Sequence, residues 1–182
     1  ETQIGIAYAY ANTRLDGNTH LSGAGTHSEI DSHVIALYGS RPLNDMVLGF
    51  QVDAGWNDND SDRTLDFGGL NRSASASYDS WSLHVGSNLS KAIVLDQANT
   101  FIPAIRADYT RLRTESYTER GAGALSLDVE ASTVEVMTLG VDGRIVHALT
   151  PNAQLEAIVG VSYDVINDDN NLVATYAGAP GQ

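Results

Sequence analysis

The chain has 182 residues, 42% hydrophobic and 18% charged, enough for one domain with a sizeable core and unlike a disordered tail. Its 10 Lys and Arg stand against 23 Asp and Glu, a formal charge of −13, so the basic footprint of a nucleic-acid partner is missing. Cysteine is absent, which excludes disulfides, thiol nucleophiles and thiolate metal sites.

No run approaches the ~20 apolar residues of a membrane-crossing helix. Glu1-Thr2-Gln3 has neither the basic nor the apolar region of a signal peptide. A mean hydropathy of −0.16 fits a soluble protein. It fits equally a membrane β-barrel, whose lipid-facing and lumen-facing residues alternate and cancel in the average.

Alternation is the dominant signal along the chain. In the first segment, 3–15, Ile4, Ile6, Tyr8 and Tyr10 alternate with Gly5, Ala7, Ala9 and Ala11. The second, 30–41, is apolar on both faces near its middle: Val34, Ala36 and Tyr38 oppose His33, Ile35 and Leu37. The third, 46–56, sets Met46, Leu48, Phe50, Val52, Ala54 and Trp56 against Val47, Gly49, Gln51, Asp53 and Gly55. In the fourth, 80–90, Trp81, Leu83, Val85 and Leu89 oppose Ser80, Ser82, His84, Gly86 and Asn88. The fifth, 101–112, sets Phe101, Pro103, Ile105, Ala107 and Tyr109 against Ala104, Arg106, Asp108 and Thr110. The sixth, 132–147, has Met137, Leu139, Val141 and Ile145 against Thr138, Gly140, Asp142 and Arg144. In the seventh, 153–166, Ala153, Leu155, Ala157, Val159, Val161, Tyr163 and Val165 oppose Gln154, Glu156, Gly160, Ser162 and Asp164. Successive side chains of a strand point to opposite faces, so each segment predicts a strand with one apolar and one polar side.

These segments are longer than the ~5–6 residues of an average strand and match the ~9–11 that cross a bilayer at a tilt. Short connections at 41–45 and 148–152, and a middling one at 91–99, alternate with longer polar stretches at 16–29, 57–77, 113–131 and 167–171. Short turns on one rim and long loops on the other suit an outer-membrane barrel. Trp56, Tyr78, Trp81, Tyr109 and Tyr163 lie near the long-loop ends. They predict part of an interfacial aromatic girdle, or else ordinary aromatic pairing in a soluble sheet.

The polar faces collect Gln51, Asp53, His84, Arg106, Asp108, Asp142, Arg144, Glu156 and Asp164. In a soluble sandwich they would be solvated. In a barrel they would line the pore, because a charge facing lipid at the midplane costs roughly 2–4 kcal/mol. Gly5, Ala7, Ala9, Gly49, Gly86, Gly140 and Gly160 share that face. They either leave room in the lumen or relieve crowding where strands bend.

Several stretches resemble the autotransporter β-domain, the translocator of type V secretion. These are 4–16 followed by Ser32-His33-Val34-Ile35-Ala36-Leu37-Tyr38-Gly39-Ser40, then Gly55-Trp56-Asn57-Asp58-Asn59-Asp60 and Phe67-Gly68-Gly69-Leu70-Asn71-Arg72. Phe101-Ile102-Pro103-Ala104, Ser116-Tyr117, Glu119-Arg120-Gly121-Ala122-Gly123-Ala124-Leu125 and Thr150-Pro151-Asn152 continue the series in order. The resemblance implies an all-β, antiparallel up-and-down transmembrane barrel of twelve strands, threaded by a helix that leads to a secreted passenger. About seven long strands are recognised here, roughly the third to the ninth. The helix, the first two strands, the last three strands and the terminal aromatic residue are not. The resemblance further implies a bacterial outer-membrane location. Its implied partners are lipid, the chain's own passenger or linker helix in the lumen, and the barrel-assembly machinery. It also places Trp56 and the 57–77 region against the emerging passenger.

Catalytic motifs are not found: G-x-S-x-G, H-E-x-x-H and the Walker A loop do not occur. Asp58-Asn59-Asp60-Ser61-Asp62 begins like a Ca²⁺ loop, but Arg63 and Gly69 stand where Gly and Glu belong. A solvated acidic loop is the simpler expectation. His20, His27, His33, His84 and His147 have no metal spacing; His84 could pair with Asp53 or Asp108. No catalytic residue, metal or cofactor is assigned. The leading function is an outer-membrane translocator that anchors and helps export a passenger. One alternative is a complete eight-stranded barrel with a structural or adhesive role, its eighth strand starting in 172–177. The other is a soluble acidic β-sandwich that binds a ligand.

Overall fold

A computed structural model describes residues 1–18, 25–167 and 173–178. In chain order the strands are β1 (Gln3–Asn18), β2 (Gly25–Leu43), β3 (Met46–Phe67), β4 (Leu70–Ser90), β5 (Ile93–Val94), β6 (Asn99–Thr114), β7 (Tyr117–Thr118), β8 (Leu127–Val129), β9 (Ser132–Thr150), β10 (Ala153–Asn167) and β11 (Ala174–Tyr176). The seven long ones form an antiparallel meander in the order β1-β2-β3-β4-β6-β9-β10, with β5 paired to β6. These are the seven expected strands. Among the described residues β1 and β10 are the sheet's two edges and do not pair with each other. Closure into a barrel and a total of twelve strands are therefore not part of what the structure contains.

The 57–77 region is corrected from loop to strand. β3 runs 22 residues and β4 runs 21, joined by the two-residue turn Gly68-Gly69. At ~3.3 Å per residue β3 is roughly 70 Å long, far more than a bilayer needs. Gly68 and Gly69 have φ of 58° and 81°, the pair of positive values a type I′ hairpin turn requires. The acidic run Asp58, Asp60, Asp62 lies on one face of this extension, while Asn57, Asn59 and Ser61 lie on the other. Carboxylates spaced along a strand cannot wrap one ion as a Ca²⁺ loop does.

The expected eighth strand is also corrected. β11 pairs with β8, not β10, in a separate three-stranded sheet ordered β11-β8-β7. Leu172 lies outside the described residues, as does His20.

This small sheet forms a cap against the polar face of the β3–β4 extension. Buried hydrophobic residues gather here alone among the described residues: Ala74, Ala76, Ala122 and Val129. Tyr78 stacks on Tyr117 with centroids 4.1 Å apart. Arg63 donates from Nε and Nη2 to the two oxygens of Glu119 at 3.0 and 2.5 Å, and from Nη2 to the Leu125 carbonyl at 3.1 Å. Glu119 also accepts from the Leu127 N–H. Gly121, at φ 106°, lies so close to the Ser73 carbonyl that a side chain there would collide with it. No second sheet covers the apolar face of the seven-stranded meander, so the sandwich alternative has no partner layer among the described residues.

The Glu119 carboxylate raises the Arg63 pKa, so the guanidinium stays charged. Burial, then the neighbouring Tyr78 and Glu119, raise the Tyr117 phenol. A raised phenol supports the docked cap below its ordinary pKa of about 10, and that support is lost as pH rises through the folded-state value. Cap docking, read by proteolysis within 113–131, is therefore expected to hold to pH ~10 and weaken above it. Arg63→Met leaves Glu119 without its cation. It is expected to destabilise the cap by about 1–3 kcal/mol and speed that cleavage, with the long strands still folded by circular dichroism.

Candidate lumen face and membrane boundary

Directly paired residues in a sheet share a face, so the registers sort every side chain. One row, Gly5–Tyr38–Gln51–Gly86–Asp108–Thr138–Asp164, crosses all seven long strands. Asp53 pairs with His84 one step along the strands. Arg106 faces Gly140, Asp142 faces Gly160, Arg144 faces Ile158 and Glu156 faces Val146. All nine sequence-selected polar residues therefore lie on one face.

The same face carries a nearly continuous polar chain. Gln51 Nε2 donates to Asp53 Oδ1 at 2.6 Å, and His84 Nδ1 lies 2.9 Å from that oxygen. His84 Nε2 lies 3.4 Å from Asp108 Oδ1, so the imidazole bridges β3, β4 and β6. Arg106 sits 3.6 Å from Asp108 and donates from Nε to Asp142 at 2.9 Å. Arg144 meets Glu156 at 3.5 Å, and Thr138 donates to Asp164 at 2.7 Å. Asp53 and Asp108 contact opposite nitrogens of the His84 ring, an arrangement that leaves no shared point for a metal. No group of three His, Asp or Glu among the described residues is placed to hold one.

The glycines on this face explain how long polar side chains fit. Asp108 and His84 lie over Gly86, where an added Cβ would be 2.8 Å from Asp108 Oδ1 and 3.1 Å from the His84 ring. At Gly140 it would be 2.6 Å from Arg106 Nε. Asn88 and Asp142 lie across Gly49 and Gly160 in the same way. The polar side chains thus lean sideways along the sheet instead of standing up from it. They border a hollow of about 400 Å³ lined in part by Tyr38, Gln51, His84, Asn88, Arg106 and Asp108.

The opposite face is apolar and uncovered. Ile6 is 76% exposed, Val161 74% and Tyr163 75%, and no large side chain is fully buried among the described residues. Full burial of such a side chain is worth about 1.5–3 kcal/mol, so this face calls for an apolar medium. On β3 the apolar run from Met46 to Trp56 gives way to Asp58, and on β4 the column Leu89, Ser87, Val85, Leu83 and Trp81, apolar but for Ser87, gives way to Asp79. The boundary is one line: Asn12, Asp31, Asp58 and Asp79 are successive partners across β1 to β4. Three adjacent carboxylates repel one another. Asp31 is relieved by Tyr10 and Asn12 at 2.5 and 3.0 Å. Immediately below that line Trp56 pairs with Trp81, and Tyr109 and Tyr163 share their face.

Tyr78 departs from the expected girdle. It pairs with Asn59 on the polar face and stacks on Tyr117 in the cap. Trp81 is three residues away, and on a strand that spacing puts the two rings on opposite sides. Trp56 points to the apolar face, 54% exposed, opposite the nine polar residues. Sequence reasoning missed Arg63, Glu119 and Tyr117 because their meeting depends on how the 113–131 connection folds back.

Gly140→Leu would drive Arg106 off Asp142. It is expected to lower stability by about 1–3 kcal/mol, read as a drop in the unfolding midpoint of the protein in detergent micelles.

The sequence matches the Autotransporter beta-domain family over residues 1–182. That family comprises outer-membrane β-barrel translocators of type V secretion and is not an enzymatic one. No curated protein matches the sequence. With its match spanning every strand of the antiparallel meander, the chain belongs to the autotransporter β-domain family.

Proposed function

We propose that this chain forms part of the wall of a closed translocator barrel of twelve strands in the bacterial outer membrane, which anchors a passenger and helps export it. The observation that carries this reading is the uncovered apolar face backed by a charged, internally paired polar face. In this reading the apolar face meets acyl chains. Gln51, Asp53, His84, Arg106, Asp108, Asp142, Arg144, Glu156 and Asp164 line the pore through which the passenger or its linker helix passes. Paired opposite charges keep that wall hydrated while leaving few bare charges to grip a moving chain. The free edges of β1 and β10 are taken up by further strands, since unpaired backbone groups in lipid cost several kcal/mol each. The barrel-assembly machinery inserts the product.

Trp56 takes a different role from the one expected of it. Its position beside Trp81, just below the acidic line, supports an interfacial anchor. Contact with the passenger falls to the 57–77 extension beyond it.

The test uses the full-length protein in cells. Trp56→Ala is expected to cost about 1 kcal/mol of barrel stability, seen as a lower temperature for loss of the heat-modifiable band, with passenger display per assembled barrel unchanged. Display lost from intact barrels would return Trp56 to the passenger path. A full-length protein that stays monodisperse in plain buffer would overturn the translocator reading.

A further inference from the structure

The outer boundary changes sign around the sheet. Over β2, β3 and β4 it presents Asp31, Asp58 and Asp79. On β6 the apolar-face column runs Phe101, Pro103, Ile105, Ala107, Tyr109 and then Arg111 and Arg113. Arg113 pairs with Trp81 on one side and Thr133 on the other. It is exposed and has no ion-pair partner among the described residues. Arg111 lies over the Trp81 ring, 5.8 Å from its centroid, and its Nη1 is 3.1 Å from Glu135. Its Nε is buried and meets no acceptor. Glu135 also accepts from the Tyr109 hydroxyl at 3.0 Å. The Glu135 carboxylate is thus divided between the Arg111 guanidinium and the Tyr109 hydroxyl, Arg113 has no carboxylate of its own among the described residues, and one Arg111 donor is unfilled at the level where the apolar band ends.

From this we propose that Arg111 and Arg113, with the Trp81 ring between β6 and β4, form a binding site for the phosphate of a phosphorylated outer-leaflet lipid. The proposal rests on the barrel reading above, which puts this face against lipid. The chemistry is complementary at each point. The acyl chains lie along Tyr109, Ile105 and Val85. The phosphate meets Arg113 and the outer edge of Arg111, guanidinium being well shaped for bidentate phosphate contact. Thr133 offers a hydroxyl to the headgroup. The carboxylates over β2–β4 repel the same headgroup, so lipid orders at one sector of the rim and not around all of it.

The experiment measures lipid retention on the full-length protein in detergent micelles by native mass spectrometry. The probes are a bis-phosphorylated lipid A and the same lipid with its phosphates removed. The wild-type protein is expected to retain the phosphorylated form preferentially. Arg111→Gln with Arg113→Gln should weaken retention about 30-fold, equivalent to about 2 kcal/mol, at about 1 kcal/mol for each Arg near an anionic headgroup. Arg113→Gln alone, at an exposed position that no carboxylate holds, should weaken it about 5-fold with the barrel intact. Equal retention by the variants, or of the dephosphorylated lipid, would overturn the site. Displacement of the lipid by millimolar inorganic phosphate would overturn the lipid as its ligand in favour of a free anion. A wild-type protein that needs no detergent would bring down the barrel reading itself, an outcome separate from loss of binding in an intact barrel.

Discussion

Backbone hydrogen bonding without water is the constraint on which this structure depends. Inside hydrocarbon each N–H and C=O must find a partner in the protein, and a sheet whose strands run side by side supplies one for every interior residue. That geometry forces a period of two on the side chains. From it follow the apolar column Met46 to Trp56 on one side of β3 and Gln51 and Asp53 on the other. In the proposed reading, the absence of a large buried core among the described residues of the meander is the same fact seen from outside, because the medium around Ile6 and Val161 is then lipid and not protein.

The polar face solves a second problem, how to hold charges of both signs on one side of a sheet without crowding it. Direct partners alternate long and short, as in Arg106 with Gly140 and Asp142 with Gly160. Arg106 and Asp142 lie over these glycines and reach each other across strands. Ion pairs across strands such as Arg106–Asp142 then act as lateral ties between β6 and β9 as well as neutralising the wall.

The strands within the apolar band were legible because their two faces differ in polarity. The extension of β3 beyond Trp56 was not, because Asp58, Asp60 and Asp62 alternate with Asn57, Asn59 and Ser61. Alternation between two polar sets leaves no hydropathy signal, and Asp and Asn are poor strand formers by propensity. Cross-strand contacts decide the matter instead: Asn59 donates to the Tyr78 carbonyl and to Ser80, and Ser77 bonds Asp60. The nine polar-face residues followed from parity alone, and so could Tyr78 have done. The cap was beyond reach. β7 and β8 have two and three residues, too few for any periodicity, and β11 found its partner through the fold-back that brings Val129 opposite Ala174.

The Gly68-Gly69 turn makes the β3–β4 extension a stiff rod rather than a slack loop. Its two strands continue without interruption into the band below, so a pull on the tip runs lengthwise down both and is shared by many bonds at once. If the chain is the translocator proposed, the tip becomes a handle: tension from a folding polypeptide outside the cell would reach the embedded wall directly, with little lost to stretching on the way.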